Sequence, residues 1–152
     1  MSDTMHTDPS SNLVQELHPE QSWGFLRERE FGRLAFHLVG EVHIVPINYA
    51  VDGERLIFMT AEGSKLFGVS SNSDVAFEVD EVSGDHATSV ICRGRAHVLE
   101  GQAAYVAERL PVRPWVGTPK DVVVAIQVDD ISGRRFTLSR PWLRDLPADP
   151  PV

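Results

Sequence analysis

The segment from Thr60 to Lys65, Thr-Ala-Glu-Gly-Ser-Lys, holds the residue types that an anion needs. Two hydroxyls (Thr60, Ser64), one ammonium (Lys65) and a glycine (Gly63) follow directly on the apolar run Leu56 to Met59. A strand that turns at Gly63 and opens a helix at Ser64 would aim unpaired backbone N–H groups, and the positive end of the helix dipole, at a phosphate. Glycine lets the backbone approach closely or take a positive φ there. The same residues suit an ordinary strand-to-helix turn with Ser64 as its cap, and the segment alone does not choose between the two. A bound phosphate would require the Glu62 carboxylate to point away. The turn is too short for a Walker A loop, and the chain contains no Gly-x-Gly-x-x-Gly.

Other chemistry-bearing residues are scattered. Arg33 opens an apolar run, where its guanidinium can meet either a phosphate or an acidic neighbour. Arg95 has the spacing of a solvated strand face. Asn48 offers both a donor and an acceptor, Pro46 within a strand implies an edge or a bulge, and Trp115 lies in a loop with Pro111, Pro114 and Pro119. Six histidines are present, but none in the helical pairings that hold metals, although His37 and His43 flank a hairpin. Gly-x-Ser-x-Gly is absent. A single cysteine, Cys92, leaves no intrachain disulfide and no thiolate-based zinc site.

The elements that must position these groups read mostly as strands. Pro19 begins a short helix with Trp23, Phe25 and Leu26 on its apolar face. Strands are expected over Arg33–Leu38, Val42–Val51, Arg55–Thr60, Val75–Val79, Thr88–Leu99 and Val122–Ile131, with Asp52-Gly53 as a hairpin turn. Short helices are expected near Ser64–Ser70 and Gln102–Leu110, and Ser132-Gly133-Arg134 reads as the end of the last strand. Six short strands with few helices fit a mainly β, closed or nearly closed antiparallel barrel.

At 152 residues the chain suits one domain, with 42% hydrophobic and 24% charged residues. Residues 1–12 read as a polar arm, 13–140 as the domain and 141–152 as a Pro-rich tail. A formal net charge of −8 disfavours nucleic acid and anionic membranes as partners. With no leader pattern and no long apolar run, a cytoplasmic location is expected.

Read in order, Gly32-Arg33-Leu34-Ala35, Val45 to Tyr49, Thr60 to Lys65, Val75 to Asp80 and Arg93 to Ala96 form a series. It resembles the pyridoxamine 5′-phosphate oxidase-like family of FMN-binding split barrels, above all its short actinobacterial-type members. The resemblance spans about residues 15 to 136. It implies a six-stranded split barrel and a homodimer with FMN at the subunit interface. It also places Thr60, Ser64 and Lys65 at the phosphate, and Pro46, Ile47, Asn48 and Tyr49 beside the flavin ring. Arg33 and Trp115 are further candidate contacts. The implied activity is an FMN-dependent oxidoreductase that accepts electrons from a nicotinamide or acts on a small molecule. Deazaflavin, haem handling and simple flavin storage are the alternatives. Deazaflavin is disfavoured by the two lysines, Lys65 and Lys120, and haem by the lack of a well-placed axial histidine. Pyridoxamine phosphate itself is not the expected substrate, because no histidine follows His97 to complete the C-terminal Arg/His grip of the authentic oxidases.

Overall fold

The computed structural model describes residues 13–61, 71–113, 117 and 122–144. Among these residues, eight strands form one antiparallel sheet: β1 (Val14–Leu17), β2 (Phe31–Leu38), β3 (Glu41–Asn48), β4 (Ala50–Asp52), β5 (Arg55–Thr60), β6 (Ser71–Ser83), β7 (His86–Leu99) and β8 (Val122–Thr137). Helix α1 (Pro19–Arg27) precedes β2, α2 (Gly101–Ala107) precedes β8, and a 3₁₀ turn covers Pro141–Arg144. The sheet order is β3-β2-β6-β7-β8-β5-β4, with β1 added to the far half of β8.

The expected single strand Val42–Val51 is two strands, and this difference shapes the molecule. The chain leaves the β2 ladder at Tyr49, where the Asn48 side-chain amide and the Tyr49 N–H both donate to the Glu30 carbonyl, at 3.1 and 3.0 Å. β3 therefore lies at one edge of the sheet and β4 at the other, although one residue separates them. A sheet whose two edges are joined by one residue has to curl. The result is a half-barrel in which strand twist and covalent connection act together.

The concave face holds the main core, including Leu34, Phe36, Tyr49, Phe58, Phe77 and Val90. Alternation along each strand puts these residues on one side. Helix α1 closes the core with Trp23 and Leu26 at i, i+3 spacing, and both are buried. Pro19 sits in its first turn, and the Gln21 side-chain carbonyl accepts from the His18 N–H at 2.8 Å. At its far end the Tyr49 hydroxyl donates to the Leu26 carbonyl at 2.7 Å, and the ring meets Phe77 edge-on at 4.9 Å. A smaller apolar cluster, with Ile57, Val123, Ala125 and Ala107, fills the opposite side of β5 and β8 under α2.

The last strand is longer than the expected Val122–Ile131. β8 runs on through Ser132-Gly133-Arg134 to Thr137, pairing with β7 on one side and β1 on the other. Gly133 is a close-approach glycine, not a turn: a Cβ there would lie 2.3 Å from the Ser22 hydroxyl oxygen and 3.1 Å from Leu17. Its absence lets α1 settle onto β8. Strand β1 carried no signal of its own, because most of its side chains are exposed and no alternation marks it. The Asp52-Gly53 hairpin is present, with Gly53 at φ 62°.

Candidate functional site

The strand alternation sorts the expected site residues into two groups. Pro46 and Asn48 share the outer face of β3, whereas Ile47 and Tyr49 are buried in the core behind it. A ligand lying against this strand meets the side chains of Pro46 and Asn48, and only the backbone of the other two. Among the described residues β3 pairs with β2 alone, so Pro46, which has no N–H to donate, sits on an edge strand where the omission is tolerated. Asn48 commits its amide to the Glu30 carbonyl, which holds the side chain in one orientation. Thr60 follows Leu56 and Phe58 onto the inner side at the end of β5 and is only 3% exposed. Its hydroxyl belongs to the rim of the core and is not displayed on the surface. Ser64, Lys65 and Trp115 lie outside the described residues, as do Glu62, Gly63 and the helix expected over Ser64–Ser70.

Arg33 resolves toward its acidic neighbours. One guanidinium nitrogen lies 2.9 Å from Glu78 and 2.7 Å from Asp80. The strand register explains the first contact, since Arg33 stands directly opposite Glu78. Glu78 also accepts from the Ser89 hydroxyl at 3.2 Å. Partial burial, and then the nearby Asp80 carboxyl, push Glu78 above the usual carboxylate range despite the arginine. Arg95 takes the solvated strand-face role, 3.5 Å from Asp129. His43 stacks on Phe36 at 5.3 Å, while His37 is exposed on the neighbouring strand. The Cys92 thiol is buried, which raises it to about 12 and removes it from nucleophilic chemistry near neutrality.

Two surfaces adjoin this strand. The first is the convex side of β3, β2, β6 and β7. The rows Ile44–Ala35–Ala76–Arg93 and Pro46–Arg33–Glu78–Ile91 cross it in register. Small Ala35 and Ala76 leave a shallow depression of about 380 Å³. Val42 and Ile44 stand 71% and 67% exposed at its edge, an apolar rim with no described element over it. The second is a cleft of about 530 Å³ beneath the chain switch at Tyr49, lined by the end of α1, the start of β2, Ala50 and Val51, Asp80 and Glu81, and Pro111 and Arg113. Sequence reasoning passed over this cleft because its residues come from four separate segments. Arg29 crosses its wall, donating to Glu81 at 2.7 Å and to the Phe25 carbonyl at 3.0 Å while its guanidinium lies over the Phe25 ring. Arg113 closes the rim on Glu30 at 3.0 Å.

This donor set suits a flavin. An edge backbone, an oriented Asn48 and apolar relief beside them can meet a flat heteroaromatic ring with a polar rim. When bound, a flavin supplies the redox chemistry, and the protein binds and orients it.

Comparison with known proteins agrees with this geometry. The family model described as pyridoxamine 5′-phosphate oxidase matches residues 18–135. A crystal structure from Corynebacterium glutamicum is 32% identical, covering 85% of this chain and 98% of that one, with a TM-score of 0.74. The structure of an FAD-binding protein from Mycobacterium smegmatis is 33% identical, covering 82% of this chain and 100% of that one, with a TM-score of 0.73. An uncharacterized protein of Mycobacterium tuberculosis is 40% identical over 87 residues, 57% of this chain and 79% of that protein.

Proposed function

Because this chain belongs to the pyridoxamine 5′-phosphate oxidase-like split-barrel family, we propose that it is a flavin-dependent oxidoreductase holding its cofactor against the outer side of Pro46–Asn48, between two copies of the chain. The observation that carries this reading is the likeness to the Mycobacterium smegmatis FAD-binding protein, which extends over all of that chain. FMN and FAD share the ring and the first phosphate, so a phosphate contact from Ser64 and Lys65 would suit either, with the buried Thr60 hydroxyl taking no part. The relative's description favours FAD, whereas the family resemblance read from the sequence implied FMN.

The paired arrangement is supported by the convex face. Exposed Val42 and Ile44 lie beside small Ala35 and Ala76, and charges of both signs (Arg33, Glu78, Arg93, Asp130) surround them. A mixed-charge rim around an apolar strip can complement its own copy across a two-fold axis. The second copy would cover the open side of the flavin and exclude water from it.

The test is spectroscopic and hydrodynamic. The purified protein should bind FAD or FMN with quenching of flavin fluorescence and a rise in melting temperature, and NADH or NADPH should bleach the bound flavin. Its mass by light scattering should be twice 16.9 kDa, and Ile44→Lys should halve that mass and weaken flavin binding together. A monomeric protein that binds flavin at full strength would remove the second copy from the site. A protein that binds no flavin would remove the function.

A further inference from the structure

The outer face of β7 and β8 carries a hollow that the flavin reading does not use. Alternation places Ser89, Ile91 and Arg93 of β7, and Ser132, Arg134 and Phe136 of β8, on that side, while Val90 and Cys92 point into the core. In register, Ser89 stands opposite Arg134 and Ile91 opposite Ser132. The two serines are short and lie diagonally to one another, so the longer side chains around them wall a pocket of about 290 Å³. Along the sheet it lies four strand spacings, about 19 Å, from Pro46. A ring seated on β3 of the same copy does not reach it.

Its lining contains two guanidinium groups and no carboxylate. Arg134 makes no hydrogen bond or ion pair among the described residues, although Glu16 stands opposite it on β1. Arg93 is 3.9 Å from Asp130, a loose contact with both side chains 65% exposed. The neighbouring carboxylates Glu78 and Asp80 answer to Arg33. Ser89 donates its proton to Glu78, whereas the Ser132 hydroxyl has no partner among the described residues. Phe136 and Ile91, both half-buried, supply the apolar part of the wall. Two arginines and a free hydroxyl around an aromatic-lined hollow suit one anionic headgroup carried on a flat apolar body.

We propose that this pocket binds a small aromatic anion, with Arg134, Arg93 and Ser132 on its headgroup and Phe136 and Ile91 against its ring. Carboxylate and phosphate ester share the headgroup chemistry. The pocket is complete within one chain and rests on no cofactor. In a chain of formal net charge −8 the overall field repels anions, so affinity has to come from these contacts.

Calorimetric titration of the purified full chain with benzoate, phenyl phosphate and acetate tests it. Benzoate or phenyl phosphate should bind with a Kd below about 1 mM, and acetate about tenfold more weakly. The tighter of the two aromatic anions assigns the headgroup. Arg134→Gln should weaken that anion about tenfold, and Ser132→Ala about threefold. Both residues are exposed, so neither replacement puts the fold at risk. Arg135→Gln removes the same charge from the opposite face of β8, where Arg135 lines a separate cleft with Thr88 and His86, and should leave affinity within about twofold. Equal losses in Arg134→Gln and Arg135→Gln would reduce the effect to net charge and overturn the site. Acetate binding as tightly as benzoate would remove the apolar wall, and with it the proposal. No binding of either aromatic anion would overturn it outright.

Discussion

The concave and convex faces of the same strands are held by different physics. On the concave side, Leu34, Phe36, Phe77 and Val90 are at most 2% exposed, and the Tyr49 hydroxyl among them donates to the Leu26 carbonyl. On the convex side the strands carry Arg33, Glu78 and Asp80, paired to one another across the ladder and open to water. Burial at about 25 cal/mol per Å² makes the first face the source of stability. Exposed ion pairs contribute little to folding, so the second face is free to serve recognition. The difference teaches where substitutions should register: as unfolding on one side, and as lost binding on the other.

The largest effect is expected where the two faces meet in the backbone. Gly94 lies at the register shift between β7 and β8, and a Cβ there would stand 2.0 Å from the Gln127 carbonyl oxygen. Backbone cannot yield as a side chain does, so Gly94→Ala should cost about 3 kcal/mol or more in chemical denaturation. Wild-type stability in that variant would mean the bulge is plastic.

Next comes the core face. Tyr49→Phe keeps the ring and removes the buried hydrogen bond to the Leu26 carbonyl, which still accepts from the Arg29 N–H, so the cost should be about 1 kcal/mol. Burial raises the Tyr49 phenol above its ordinary 10.0 and the Cys92 thiol from 9.0 to about 12. In the unfolded chain both groups release protons that the fold retains, so stability should fall as pH rises past about 9. Melting temperature followed from pH 7 to 11 should show this decline, and Tyr49→Phe should flatten its upper part. A pH-independent melting temperature would place both groups in contact with solvent.

A gain of about 1 kcal/mol is expected at the β2–β3 hairpin. Val39 holds φ 51° while 94% exposed, a conformation that a β-branched residue resists and asparagine accepts. Val39→Asn should therefore stabilise the protein to urea. The smallest effect belongs to the convex face: Arg33→Gln should leave the urea midpoint indistinguishable from that of the wild type. A measurable loss would show that the outer cluster is structural, and the contrast between the faces would then fail.

Much of the strand content was legible because alternation is strong in Arg33–Leu38 and Arg55–Thr60, and because Asp52-Gly53 marks a turn by its backbone preference alone. The break at Tyr49 was not legible. Val42 to Val51 is apolar on both sides of it, and the Glu30 carbonyl whose bonds turn the chain lies 18 residues before Asn48 in sequence. Gly133 was misread because a glycine needed for close approach and a glycine needed for a turn look the same in sequence. At the site, the ordered blocks from Gly32 to Ala96 pointed to the right family. They did not indicate that Thr60 faces the core or that Arg33 is held by two carboxylates, since neither partner is adjacent in the chain.

What the sequence determined by itself is therefore local and periodic: which residues form strands, which tight turns join them, and which series of short motifs marks the family. Tertiary structure decided which face each candidate presents, which arginines are already paired, and that a cleft exists where four distant segments meet. The physical reason is range. Alternation and turn preference act over two to four residues, whereas pairing register and ion-pair choice depend on strands that curling alone brings together.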